Sequence, residues 1–239
     1  MKIALIGYGK MGKTIESIAI ERNHEIVLKI NRDNCDSFTI DNLKKCDLAI
    51  EFSTPISAVN NIITCFEAGI PVIIGTTGWL DHFNEVKHKC NQTNQAMLFA
   101  SNFSIGVNLF FELNKHLARI MNTHPEYDVL LEEIHHIHKK DSPSGTGITL
   151  AEGLIENIDR KTKWVDGETR SEYELQIISK RIDEVPGTHI IKYTSEVDDI
   201  EIKHQAHNRK GFAIGAVVAA EWLVGKKGIY SMKDVIGLA

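Results

Sequence analysis

Short apolar runs recur along the first hundred residues: Lys2–Ile6, Glu25–Ile30, Leu48–Phe52, Pro71–Ile74 and Ala96–Ala100. Runs of this length and character read as buried parallel strands. Helical spacing separates them, with Ile15, Ile18 and Ala19 after the first run and Val59, Ile62, Ile63 and Phe66 after the third. The last three runs end in small polar residues: Ser53-Thr54-Pro55, Gly75-Thr76-Thr77-Gly78 and Ser101-Asn102-Phe103-Ser104. This βα rhythm predicts an open α/β sheet of Rossmann type to about residue 103, its strand carboxyl ends bordering a ligand crevice.

The rhythm then changes. Residues 107–121 carry a long helical pattern through Leu109, Phe110, Leu113, Leu117 and Ile120, and 127–134 read as a strand. A helix is expected over 145–158, a polar surface stretch to about residue 170, and strands over 173–181, 189–193 and 200–205. More strands and fewer helices predict a second, α+β domain with a mixed sheet and helices on one face. Residues 212–224, rich in Ala and Gly, return to helix, and the tail 232–238 is again apolar-periodic. Both are expected to rejoin the first domain, which becomes discontinuous: residues 1–103 and 208–239 against 104–207. Residues 103–106 and about 206–211 are the natural hinges.

The first strand runs into Gly7-Tyr8-Gly9-Lys10-Met11-Gly12 and then into a helix, the context that makes G-x-G-x-x-G a dinucleotide fingerprint. Gly7 permits the tight turn, Gly9 the approach of a pyrophosphate, and Gly12 close packing of helix on strand. An NAD-preferring site places an acid at the end of the second strand; here stand Asn31 and Arg32, which admit the 2′-phosphate of NADPH. The expected cofactor is therefore NADPH, NADH, or both.

The densest chemistry lies at residues 135–140, His-His-Ile-His-Lys-Lys, followed by Pro143-Ser144-Gly145-Thr146 and a new helix. Ser144 or Thr146 can cap that helix. A proton-donating, anion-attracting patch thus precedes an anion-binding helix start. On an extended backbone His135, Ile137 and Lys139 would share one face and His136, His138 and Lys140 the other, and within one helical turn His135 and Lys139 would again fall together.

Charge sharpens this picture. The net charge of −5 makes the basic cluster local and argues against nucleic-acid or anionic-membrane partners. Four scattered cysteines form no C-x-x-C pair and read as reduced thiols. No apolar run suits a bilayer span, and a cytoplasmic protein is expected.

The stretch Glu133 to Gly147 resembles the signature of the dihydrodipicolinate reductase family, E-x-H-H-x-x-K-x-D-A-P-S-G-T-A, departing from it only at Ser142 and Gly147, which replace alanines. The resemblance extends over the whole chain through the glycine loop, Gly75-Thr76-Thr77, Ser101 to Ser104, Gly187 to His189 and Arg209 to Leu223. It implies hydride transfer from NAD(P)H to a cyclic unsaturated dicarboxylic acid in diaminopimelate and lysine biosynthesis. By the same resemblance His135 is the proton donor, Lys139 a second donor, and His136 a substrate contact. Gly145 and Thr146 would hold a substrate carboxylate. Gly7 to Gly12 would hold the pyrophosphate, and Gly75, Thr76, Thr77, Ser101, Asn102, Phe103 and Ser104 would border the nicotinamide. The resemblance further implies a homotetramer assembled through the second domain's sheet.

Hydride addition to a conjugated imine leaves charge that an acid must quench, and histidine suits that task near neutrality. Three other readings compete. A zinc protein would use His136 and His138, but further ligands are not evident and two lysines adjoin the pair, so no metal is expected. A cofactor-sensing module leaves the His–Lys cluster without a purpose. A different two-domain Rossmann reductase of a small acid shares the fold but not the signature.

Overall fold

β1 (Lys2–Ile6) is buried from Ile3 to Ile6, and its period of two divides the first core. Ile3 and Leu5 enter one apolar cluster, Ala4 and Ile6 another, as befits a strand covered on both faces. The structure, a computed structural model, describes residues 1–208 and 210–238. Contacts divide the chain into two units, Met1–Ile105 with Lys210–Ala239, and Gly106–Arg209. Arg209 and Ala239 themselves lie outside the described residues.

In the first unit α1 (Lys10–Glu21), β2 (Glu25–Ile30), α2 (Ile40–Leu43), β3 (Leu48–Glu51), α3 (Pro55–Glu67), β4 (Val72–Ile74), α4 (Phe83–Gln92) and β5 (Ala96–Phe99) follow β1. The second unit contains most of α5 (Ile105–Met121), then β6 (Asp128–His135), α6 (Gly145–Ile155), β7 (Lys163–Asp166), β8 (Glu174–Arg181), β9 (Thr188–Thr194) and β10 (Asp199–Gln205). The chain returns to the first unit with α7 (Lys210–Leu223), β11 (Gly228–Tyr230) and α8 (Met232–Val235).

The first sheet is parallel throughout, in the order β11-β5-β4-β3-β1-β2. Its strand order turns at β1, so the carboxyl ends of β1 and β3 flank a topological switch point. α7 supplies Ala213, Ala216, Ala219 and Ala220 to the core shared with Ile15, Ile18 and Ala19 of α1. Its small residues let it sit close: a Cβ on Gly215 would overlap the carbonyl oxygen of Phe103. That seat, with Phe103 packed 5.6 Å from Phe52 between ring centroids, keeps the residues just after β5 in the first unit.

The second sheet is mixed, in the order β10-β9-β6-β8-β7. The central β6 pairs parallel with β8 and antiparallel with β9. Val129 and Leu131 point to the face where Phe110, Ala118 and Met121 of α5 and Leu150, Ala151 and Leu154 of α6 pack. Leu130, Glu132 and Ile134 point to the other face and are half-buried. No described helix is long and apolar enough to cross a membrane.

Two expectations need correction. The polar stretch before residue 170 contains β7, an edge strand with half-buried Trp164 and Val165. The extended backbone expected through residues 135–140 ends at His135, because Ile137 N donates to Asp183 O and Lys139 N to His136 O, which turns the chain. The alternating faces of residues 135–140 therefore do not form.

Candidate active site

Each unit carries one part of the predicted chemistry, at the carboxyl end of its central strands. In the first unit Gly7 has φ +95°, a left-handed conformation that glycine tolerates, and a Cβ there would overlap the Phe52 carbonyl. Gly9 is the N-cap residue of α1, and a Cβ on it would meet open space. A Cβ on Gly12 would overlap Gly7 O, so the helix can lie against its own turn only without one. A helix start with accessible backbone and no side chain in the way fits a pyrophosphate.

A cavity of about 810 Å³ opens beside this turn and joins Gly7, Tyr8 and Gly9 to Asn31, Arg32 and the Ser53-Thr54 loop. Asn31 does more than end β2. Its Oδ1 accepts from Asp33 N at 2.8 Å and Asn34 N at 3.1 Å, and Asn34 Oδ1 accepts from Asn31 N at 2.8 Å. This capping box opens a 3₁₀ turn over Arg32–Ser37 and leaves Arg32 exposed at the cavity. Asp33, Cys35 and Phe38 line it too; nothing in the periodicity marked them, because they belong to that turn or, for Phe38, to its C-cap.

Thr76 Oγ1 accepts from Ser53 N at 2.8 Å, so the loops after β3 and β4 are bonded together. A Cβ on Gly75 would overlap the Phe52 ring. Asn102 Oδ1 accepts from Ser104 N at 2.9 Å, and Phe103 is buried. Thr77 and Ser101 are exposed, as is Lys10 at the start of α1; Met11 is half-buried and packs on the core. These residues all lie in the first unit, although the cavity itself is lined from the ends of β1, β2 and β3, the 3₁₀ turn after β2 and α3.

In the second unit the period of two along β6 puts Glu133 and His135 on the helix-covered face, both buried. The register then imports what linear sequence cannot: Glu133 opposes His189 on β9, and His135 opposes Arg181 on β8. Glu133 is fully enclosed. Its two oxygens accept from Ser144 N, each at 3.0 Å, its Oε2 from Ser144 Oγ at 2.5 Å, and its Oε1 from Arg181 Nη1 at 3.4 Å. Burial alone would raise this carboxyl; contacts with His135 and Ser144 outweigh it and hold the group at about 2.

His189 Nε2 lies 3.3 Å from Ser144 Oγ, and its ring centroid lies 5.1 Å from that of His135, edge to face. Burial pushes the His189 imidazole down to about 3, with the neighbouring His135 acting in the same direction and Glu133 against it. His189 is therefore neutral at pH 7. With Ser144 donating to Glu133, its Oγ is left to accept from His189 Nε2–H and from Gly147 N, the latter at 3.0 Å. Glu133, His135 and His189 have the composition of a metal site, with ligand atoms within 4.8 Å of one another. The carboxylate is already engaged by Ser144 and the Arg181 guanidinium, so a cation would have to displace both.

Ser144 caps α6 through that same hydroxyl, which settles the choice between Ser144 and Thr146. Gly145 is exposed, with open space where a Cβ would stand, and Thr146 is half-buried beside it. The start of this 11-residue helix thus presents an anion-favouring end next to the histidine. His136 is half-buried, its ring 6.2 Å from that of the exposed His138, whose Nε2 pairs with Glu184 at 3.2 Å. The Lys139 ammonium grips both oxygens of Asp141 at 2.9 and 2.8 Å and draws that carboxyl below its ordinary range. Arg181 ties the turn down by donating to Asp141 O at 2.6 Å and to Lys139 O at 3.4 Å. Arg181 is the neighbour of the candidate site least visible in sequence; His189 lay in the Gly187–His189 match and Glu133 opens the signature, but neither is given a role there.

The family described as "Dihydrodipicolinate reductase, N-terminus" matches residues 1–103, and "Dihydrodipicolinate reductase, C-terminus" matches residues 106–236. The chain is 50% identical over 236 residues to "4-hydroxy-tetrahydrodipicolinate reductase" of Christiangramia forsetii, covering 99% of this chain and 98% of that protein. A second protein of that name, from Methanoculleus marisnigri, is 38% identical over 200 residues, with 82% of this chain and 78% of the relative covered. Among solved structures the fold is similar to "Dipicolinate bound Dihydrodipicolinate reductase from Paenisporosarcina sp. TG-14", with TM-score 0.78, 20% identity and 97% of each chain covered. The chain belongs to the dihydrodipicolinate reductase family, NAD(P)H-dependent oxidoreductases that reduce a small dicarboxylate in diaminopimelate and lysine biosynthesis.

Proposed function

We propose that His135 is the acid of this reduction and that the start of α6 holds a carboxylate of the substrate. The observation that carries the reading is the placement of a buried histidine at the end of β6 beside the Ser144-capped helix. The cofactor supplies a hydride to the unsaturated ring. His135 protonates the charge this leaves, and the amides of Gly145 and Thr146 with the Thr146 hydroxyl orient the substrate carboxylate. His136 contacts the same substrate. Lys139, bound to Asp141 in the free protein, offers a positive charge and a second proton once the substrate competes with that carboxylate.

Gly7, Tyr8, Gly9, Lys10, Met11 and Gly12 would hold the cofactor's pyrophosphate, and Asn31 and Arg32 its adenosine ribose. Gly75, Thr76, Thr77 and the Ser101–Ser104 loop would border its nicotinamide, which supplies the hydride. NADPH is used at least as well as NADH, a reading supported by the exposed Arg32 at the cavity rim. The enzyme is cytoplasmic, in keeping with four free thiols. It is a homotetramer joined through the second sheet, a reading supported by the half-buried Leu130, Ile134, Ile178 and Ile190 on the face opposite α5 and α6.

The test is oxidation of NAD(P)H with freshly made product of the preceding synthase. His135→Gln should lower kcat by about 10²–10⁴ while leaving NADPH affinity unchanged. His138→Gln should be nearly silent. If His138→Gln is as damaging as His135→Gln, the acid has been assigned to the wrong residue. Pyridine-2,6-dicarboxylate should compete with substrate; no inhibition at millimolar concentration would remove the dicarboxylate pocket from this end of α6.

A further inference from the structure

His135 Nδ1 is sealed from solvent and has no hydrogen-bond partner within 3.5 Å. A buried ring nitrogen in that state is costly unless it has a purpose. Glu133 Oε1 lies just beyond hydrogen-bonding range, at 3.6 Å. The carboxylate is not free to wander, since Ser144 N and Oγ hold it from one side and Arg181 from another. The first turn of α6 also lies close against it: a Cβ on Gly147 would stand 2.4 Å from Glu133 Oε2.

The ring's second nitrogen has different company. A Cβ on Gly187 would stand 3.3 Å from His135 Nε2, so at that position only glycine leaves the nitrogen unpressed. The two ring nitrogens thus face a fixed anion and a backbone without a side chain. The charged and titratable groups around the His135–His189 pair of rings are Glu133 on the same strand as His135, Arg181 on β8, His204 on β10 and Lys139 on the turn. Of these Glu133 alone is negative, and it is the one aligned with Nδ1.

We infer that Glu133 is a positioning residue for His135: its carboxylate, clamped by Ser144 and Arg181, holds the proton on Nδ1 and leaves Nε2 as the atom that delivers a proton to substrate. The inference rests on His135 being the acid, as proposed above. Movement of the carboxylate by a few tenths of an ångström closes the contact to a charge-assisted hydrogen bond when the ring is protonated. Once Nε2 has given up its proton, the remaining Nδ1–H still points at Glu133, so each turnover begins and ends with the same ring orientation. Ser144 and His189 extend the arrangement outward, His189 Nε2–H to Ser144 Oγ and Ser144 Oγ–H to Glu133, so that His189 steadies the carboxylate's own partner.

Glu133→Gln tests this, because it keeps size and an oxygen for Ser144 while removing the charge. Expected are a fall in kcat of at least about tenfold with little change in KM, and a high-pH limb of kcat/KM moved to lower pH. Glu133→Asp should recover part of the loss. In a His135→Gln background the same change should cost nothing further, since a positioning residue has nothing left to position. The His135 ¹⁵N resonances should report an Nδ1–H tautomer in the parent protein and a mixture in Glu133→Gln, a readout available even if that variant is too unstable to assay at 37 °C. An unmoved pH limb, or additive losses in the double variant, would overturn the inference and leave Glu133 as a structural anchor of α6. Full activity of His135→Gln would instead sink the acid assignment, whatever Glu133 does.

Discussion

At residue scale the second unit concentrates its buried polar groups around one carboxylate, and acid should reveal it. The folded protein holds Glu133 at about 2 against an ordinary 4.5, so its stabilising contribution is complete above about pH 4.5 and is lost as pH falls through 2. His189 is held at about 3 against an ordinary 6.5. Between those values the unfolded chain binds a proton that the folded one refuses, so stability falls as pH drops from 6.5 to 3. Both shifts act in the same direction. Urea midpoints should therefore decline between pH 7 and pH 4, and His189→Gln should decline less across that range. Sequence exposed His135 and its helix start because they are contiguous. Spacing could not place Arg181 beside His135, nor show that His189, noted only within the Gly187–His189 match, sits there, because both reach the site through pairing with β8 and β9.

At element scale α6 depends on one hydroxyl for two tasks. Ser144 Oγ accepts from Gly147 N as the helix cap and donates to Glu133. Ser144→Ala should cost about 0.5–2 kcal/mol for the cap alone and should also reduce kcat, whereas an ordinary cap substitution would leave turnover unchanged; urea unfolding and the coupled assay separate the two. In the first unit, Arg32 stands on a 3₁₀ turn that Asn31 caps. Arg32→Ala should weaken NADPH about tenfold or more, the loss expected of a charged hydrogen bond, and barely affect NADH; equal losses for both would place the 2′-phosphate elsewhere. Helices with a clean apolar period, α1, α3, α5 and α6, were readable from spacing. α4 was not, because only Val86 and Cys90 of its ten residues are buried, and β7 was not, because an edge strand half-exposed on both faces leaves no run of apolar residues.

At the scale of the molecule, the second sheet has one face packed by α5 and α6 and another on which Leu130, Ile134, Ile178 and Ile190 alternate with the pairs Lys180–Glu132 and Lys192–Asp199. Apolar residues ringed by matched charges suit a self-complementary contact. Ile178→Lys should reduce the sedimenting mass without loss of helical signal; an unchanged mass would move the proposed interface off this face. The turn of the chain back into the first unit was legible from the Ala-Gly pattern of 212–224, but the strand it delivers, β11, is three residues long and half-buried, too short to show a period.

That return has a consequence in time. β5 gains its outer neighbour only when β11 pairs with it, and the face of β3, β4 and β5 carrying Ile50, Ile73 and Leu98 is closed by α7. During synthesis the first 105 residues leave the ribosome with an open sheet edge and an apolar face that α1 covers only in part, and the segment 106–209 must be made before the missing pieces appear. At about 5–20 residues per second that wait lasts roughly 5–20 s, while the intervening unit, whose strands are contiguous in the chain, can close first. The amino-terminal half should therefore be the last to resist protease on arrested nascent chains, and the half that most needs a chaperone to hold it.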